Sequence, residues 1–306
     1  MVAWTCLADP FDPSFRSARI GGVIDPVQAQ ILIVLSIVGV FAVVELLRGE
    51  FWPREAGLED NRLDLAIIFM FPLVSGLVAL VVQTLCEAWI PQYRDLLAHW
   101  PLWAMVGTLL VADDLTQYGW HRLSHSSVLW PLHRAHHSAP YMSVRIVYRN
   151  NALYYAFMPG LWISGLLVFL GFGWVYVGYV FVKLAVIAGA HCSWRWDEAL
   201  YRIPALHPLM WVVERTISTP ATHHAHHALS DSDGIGHYSG NFGNLLFLWD
   251  MIFGTAVITR KFPPAYGLAD DRRFGAEKWQ AQLMYPFFRS RREASALSVP
   301  PGRPPA

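Results

Sequence analysis

The chain has 306 residues, of which 54% are hydrophobic and 15% charged, and its 23 basic and 23 acidic side chains cancel. A water-soluble domain carries about 25% charged residues, so this balance, with 14 Trp, 12 Tyr and 17 Phe, suits a membrane protein. It excludes disordered and collagen-like classes and leaves no basic footprint for nucleic acid, while Cys6, Cys86 and Cys192 lie too far apart for a disulfide framework or a thiolate zinc site.

Residues 1–30 contain no basic segment followed at once by an apolar run and a small-residue cleavage site, so no removable leader is expected there. Apolar runs follow at Ile31–Leu47, interrupted only by Glu45, and at Leu65–Cys86, both near the roughly 20 residues that cross a bilayer. A third run begins at Pro101 and continues without a break into DDLTQYGWHRLSH, which predicts one helix whose far end leaves the membrane carrying histidines. Ala152–Phe172 and Trp174–Ala190 read as two further spans joined by Gly171-Phe172-Gly173, a tight or re-entrant hairpin. Beyond His191 the chain turns amphipathic, as expected of a helical cap on the membrane face, and from Arg289 it reads as a disordered tail. The expected fold is therefore an all-α membrane protein of about four to five transmembrane or re-entrant helices, with a cytoplasmic helical cap. Its divisions are 1–100 (N-terminal segment and two spans), 101–260 (catalytic domain) and 261–306 (C-terminal cap segment and tail). Arg48, Arg54 and Arg62 in the loop between the first two spans, against Arg94 alone in the next, place the histidine-bearing side in the cytoplasm; Arg16 and Arg19 would then face outward.

Five of the 13 histidines fall between His121 and His137, and four between His223 and His227. His121 and His125 are one helical turn apart on one face. His133, His136 and His137 share a face at i, i+3 and i+4, and His223, His226 and His227 repeat that pattern; His191, at the end of the fifth span, adds a ninth imidazole. Six ligands is a normal ceiling for a first-row ion, so nine imidazoles imply two ions, of iron, zinc, copper or nickel rather than calcium or magnesium. His99, His207 and His224 read as surface or satisfied core groups, and His237 in GHYSGN is open between the two roles.

These motifs in order, DLTQYGWHRLSH, LHRAHHSAPYMS, AHC, TPATHHAHH and NFGNLLFLWDMIFGT, resemble the fatty acid hydroxylase superfamily, also called the sterol desaturase family, over about residues 100–257. The resemblance implies an integral-membrane di-iron oxygenase in which all nine named histidines are ligands, and it favours hydroxylation over desaturation of an unactivated C–H bond with O2 as co-substrate. Zinc is the alternative occupant of isolated protein. Where many members carry Asn after the first triplet, this chain has Ser143, which leaves the substrate subclass open. The expected partners are a lipid substrate, the bilayer and a separate electron-transfer protein or reductase, since the chain has no dinucleotide motif and no iron–sulfur cysteine set. The competing reading is a membrane metal-binding or metal-transport protein without oxygenase activity. A zinc protease fits poorly because Arg122 stands where His-Glu-x-x-His needs its base, and a haem protein because these histidines lie at helix ends. Asp114, His237, Asn241, Asp250 and Lys183 are candidates for support of the ligands or for lining a cavity. Asp250 is expected to accept from an imidazole N–H, and Lys183 to pair with Asp113 or Asp114 on the outer side of a substrate cavity.

Overall fold

The computed structural model describes residues 25–292 and 295–298; the expectations for the leader region and for Arg16 and Arg19, and most of the tail, lie outside these residues. Among the described residues all regular structure is helical, with two isolated β-bridges, Ile217 to Leu246 and Ala228 to Tyr266. Helix α1 (Pro26–Leu47) starts at a reciprocal cap in which Asp25 Oδ1 accepts from Gln28 N and Gln28 Oε1 accepts from Asp25 N. Helix α2 (Leu58–Trp89) follows a short loop and is longer at both ends than its apolar run suggested. Both carry large exposed apolar side chains, such as Leu35 and Val40 on α1 and Ile68, Phe69 and Leu73 on α2. Contiguous apolar surface of this extent belongs against lipid, and three helical stretches are long and apolar enough to cross a membrane: Pro26–Leu47, Leu58–Trp89 and Pro159–His191.

The third run forms one helical path, α3 (Leu102–Leu109), a π-helical turn (Leu110–Leu115) and α4 (Thr116–Ser124). After α5 (Trp130–His137), the expected span from Ala152 breaks into α6 (Ala152–Ala156) and α7 (Pro159–Leu167), because Met158 precedes a proline and is extended at ψ 111. Between α7 and α8 (Gly173–His191) the chain reverses, as expected, in a turn at Val168–Phe172. The reversal is visible at Asp113, which accepts from Ser164 on the descending arm and from Tyr179 on the returning one. Gly171 makes it possible: its φ is +110, and a Cβ there would lie 2.8 Å from the Ala98 nitrogen. The turn is bound to the α2–α3 loop through Asp95 N and Leu97 N, which donate to Phe169 O and Leu170 O.

At the opposite end of the bundle lie short helices α9 (Trp196–Tyr201), α10 (His207–Thr216), α11 (Pro220–His226), α12 (Leu248–Phe253), α13 (Ala269–Phe274) and α14 (Trp279–Met284), which form the expected cap. The tail departs from expectation: Arg292 pairs with Asp271 and Glu277, and Leu297 is fully buried against Ala281, Tyr285 and Leu132, so residues 295–298 are anchored rather than loose.

Candidate metal centre

The nine histidines named from spacing converge in the cap, at the inner ends of α4 and α8. They form two groups. His121, His125, His133, His137 and His226 place one ligand nitrogen each within 4.8 Å of the others, and so do His136, His191, His223 and His227. That spread is close to the ~4 Å across a coordination sphere with metal–nitrogen bonds of about 2.0–2.1 Å. The triplets are split: His136 leaves its neighbours for the second group, and His226 leaves His223 and His227 for the first. Each triplet thus contributes to both groups.

Hydrogen bonding at Nδ1 fixes which nitrogen faces inward. His121 Nδ1 lies 2.7 Å from the Phe242 carbonyl, His226 Nδ1 2.7 Å from that of Gly240, and His191 Nδ1 2.8 Å from that of Ile187. A carbonyl only accepts, so each Nδ1 donates and each neutral ring presents a bare lone pair at Nε2. Burial holds the rings neutral: it lowers His121 to about 4, and it lowers His125, His133, His136, His137, His223, His226 and His227 well below the usual histidine value. Yet His121 Nε2 and His226 Nε2 stand 3.0 Å apart, and His191 Nε2 stands 2.9 Å from His223 Nε2. The opposed lone pairs of His121 and His226 repel unless a cation lies between the rings. Among the described residues the buried His125 Nε2 likewise has no hydrogen-bond partner. The all-imidazole donor set therefore fits borderline first-row cations such as iron, zinc, copper or nickel.

Three buried clamps hold the ligand helices from behind. The fully buried Arg149 donates to Ala135 O and Ser138 Oγ at the end of α5 and pairs with Asp60 (2.6 Å) and Asp64 (3.0 Å) in the first two turns of α2. Glu45, fully buried near the end of α1, accepts from Ser143 Oγ, Val144 N and Ser193 N, so one carboxylate ties the segment after the first triplet to the loop after His191. Asp197 accepts from Ala221 N in the first turn of α11, and burial raises its carboxyl to about 6.

Of the supporting residues named from sequence, Asp250 and Asp114 fall elsewhere than expected. Asp250 touches no imidazole. Its two oxygens accept from Phe242 N (2.8 Å), Gly243 N (2.6 Å) and Thr255 Oγ1, so it acts on His121 only through the Phe242 peptide whose carbonyl that ring uses. Asp114 does not line an approach to the histidines; it accepts from Leu245 N, Leu246 N and Trp249 Nε1 and holds the loop that precedes α12. Asn241, at φ +57, latches that loop to α11 by donating to Thr222 O and accepting from Val257 N. His237 is half-buried and lies outside both groups. Lys183 pairs with Asp113, as the spacing suggested, and Tyr179 Oη joins the same carboxylate at 2.7 Å. His224 bonds Tyr266 and the Cys192 carbonyl, away from the centre. Asn150 was missed: its Oδ1 accepts from His133 Nδ1 at 2.7 Å, and its Nδ2 donates to Tyr155. The signal was present as two adjacent Asn at the head of an apolar run.

A family model described as fatty acid hydroxylase matches residues 106–255, a stretch that opens within α3, closes just after α12 and contains all nine converging histidines. No solved structure matches the chain.

Proposed function

We propose that this chain, which belongs to the fatty acid hydroxylase family within the fatty acid hydroxylase/sterol desaturase superfamily, is a membrane-bound di-iron oxygenase that hydroxylates, or alternatively desaturates, an unactivated C–H bond of a lipid. The observation that carries this reading is the approach of the His121 and His226 lone pairs to each other inside a buried centre of nine histidines, which divide into two groups that could each hold an ion. His121, His125, His133, His137 and His226 would hold one iron and His136, His191, His223 and His227 the other; such a pair supplies the O2 reduction and C–H oxidation that side chains alone do not perform.

The chain's own part is to position and to insulate. Carbonyls of Phe242, Gly240 and Ile187 and the Asn150 amide orient four rings with Nε2 inward. Burial keeps the imidazoles unprotonated at neutral pH and so available as ligands. The centre lies where α4 and α8 leave the bundle, which suits a substrate whose reactive carbon lies in the leaflet and whose polar head stays near water. The Lys183–Asp113 pair, about 12 Å outward of the ligands at 1.5 Å per residue, would bound the substrate chain on its far side. The arginines of the α1–α2 loop lie at the histidine end and Arg94 at the other, which supports a cytoplasmic centre. Electrons would come from a separate reductase or electron-transfer protein.

The test is comparative lipid mass spectrometry of cells with and without the chain under O2. The reading requires lipids that gain one oxygen atom, or lose two hydrogens, only when the chain is present and only with His136 and His226 intact. A lipid profile unchanged by the chain, with metal flux into vesicles that contain it, would favour the transport alternative.

A further inference from the structure

Outside the histidine centre, two depressions lie along one face of α1. The inner one, of about 370 Å³, is polar: Arg48, Arg195 and Arg202 line it together with Glu50 and Glu198. The outer one, of about 360 Å³, is apolar and is lined by Phe41, Phe181, Val182, Ala185 and Trp196, with Gly189 as its floor. Phe41 and Arg48 are seven residues apart, hence on one helical stripe and about 10 Å apart along the axis. Between them on that stripe sits Glu45, whose carboxylate holds Ser193 N, and the chain that follows lines both depressions, Ser193 to Arg195 the polar seat and Trp196 the apolar one.

The polar seat has an excess of cation. Arg48 pairs with Glu50 and Arg202 with Glu198, which leaves Arg195. Among the described residues Arg195 makes no salt bridge: it reaches the Tyr266 hydroxyl at 3.4 Å and the face of Phe262, and it shares the field of Glu50, whose carboxylate is already bound by Arg48. Three guanidiniums against two carboxylates at the mouth of a membrane-facing apolar groove are complementary to one kind of molecule, an amphiphile with an anionic head and a hydrocarbon chain. We infer that this face of α1 binds a phospholipid with an anionic headgroup, its phosphate at Arg195, Arg48 and Arg202 and one acyl chain in the Phe41–Phe181–Trp196 groove. The site requires that the chain sits in a bilayer and is independent of oxygenase activity.

The experiment uses the full-length protein in nanodiscs of phosphatidylcholine doped with phosphatidylglycerol, followed by mild detergent extraction and quantitation of co-purified lipid. Phosphatidylglycerol should be enriched over its bulk share, and the enrichment should fall about fivefold for each charge removed in Arg195→Gln and in Arg48→Gln, with Arg195→Lys largely restored. Soluble short-chain phosphatidylglycerol should compete for the site, whereas glycerol phosphate, which has the head but no chain, should not. Arg202→Gln, at a strongly exposed position, supplies a second charge variant should Arg48→Gln not fold. Recovery of the two lipids in their bulk ratio, enrichment that ignores the arginine variants, or competition by glycerol phosphate as effective as by the short-chain lipid would each overturn the inference.

Discussion

Asp250 shows how a side chain can serve a metal ligand without touching it. Its carboxylate is spent on two buried peptide N–H groups and a hydroxyl, and one of those peptides presents the carbonyl that fixes the His121 tautomer. Asp250→Asn keeps the shape but turns one acceptor into a donor against buried N–H groups, at a cost of about 1–3 kcal/mol. The expected result is a clear drop in melting temperature with a smaller change in metal content; metal loss at unchanged stability would mean that the carboxylate acts on the ring directly. Lys183 and Asp113 are the second case. Lys183→Met alone strands the buried Asp113, at a cost of about 3–5 kcal/mol, so it should destabilise more than Lys183→Met combined with Asp113→Asn. Equal losses in thermal unfolding would show that the pair is not coupled. Spacing narrowed the Lys183 partner to Asp113 or Asp114 because Lys183 and the aspartates lie on continuous helical paths with a common depth, and the structure selects Asp113. It failed for Asp114, and the need of a buried carboxylate for a donor misdirected Asp250 to an imidazole, because the partners of both include backbone amides of a returning loop, and no periodicity records where a loop returns.

At the level of elements, the histidine triplets were legible in full: i, i+3 and i+4 share a face in any α-helix. Their division between two groups was not, because it depends on how α5 and α11 cross. The hairpin of α7 and α8 was legible from Gly171-Phe172-Gly173 between two apolar runs, whereas the π-helical turn at Leu110–Leu115 carried no visible signal. That turn is where adjacent Asp113 and Asp114 part, one to the α7–α8 hairpin and the other to Leu245, Leu246 and Trp249 at the start of α12. The hairpin rests on Gly171, where positive φ and contact with the Ala98 backbone leave no room for a Cβ. Gly171→Ala should therefore cost on the order of 1–3 kcal/mol and loosen the Tyr179–Asp113 contact, measurable as lower thermal stability, while Gly178→Ala, with open space at its Cβ, should be nearly neutral. Comparable losses for both would discard the role given to the turn.

For the whole molecule, the centre makes stability depend on pH in a defined direction. The buried imidazoles have folded values below the ordinary histidine value near 6.5, with His121 at about 4, so between these values the unfolded chain binds more protons than the folded one. Their contribution is complete above about 6.5 and is lost as pH falls through the folded values. Buried carboxyls such as Asp197, raised to about 6, and Asp250, raised by burial, work in the opposite sense but are outnumbered by the imidazoles. Metal-free protein should therefore melt at progressively lower temperature on acidification from neutral pH toward 4; a flat or rising profile would contradict the buried neutral state. The fold class and the membrane setting were readable from composition and run length, because lipid exposure leaves its mark along the apolar runs of α1 and α2. The anchoring of Leu297 was not readable, since one apolar residue in a Pro- and Ser-rich tail has no pattern. The same holds for the clasp on the back of the first triplet, where Arg134 meets Asp271 and Arg292 joins it from the C-terminal segment, beyond the matched family region.

The most direct measurement is the metal stoichiometry of purified full-length protein by elemental mass spectrometry, taken beside His226→Ala and His223→Ala, one from each group. Two ions per chain in the parent, with loss of bound metal in both variants while membrane insertion is retained, is the predicted result. A parent that binds no transition metal, or two ions that survive both substitutions, would contradict the assignment of these imidazoles as a two-metal centre.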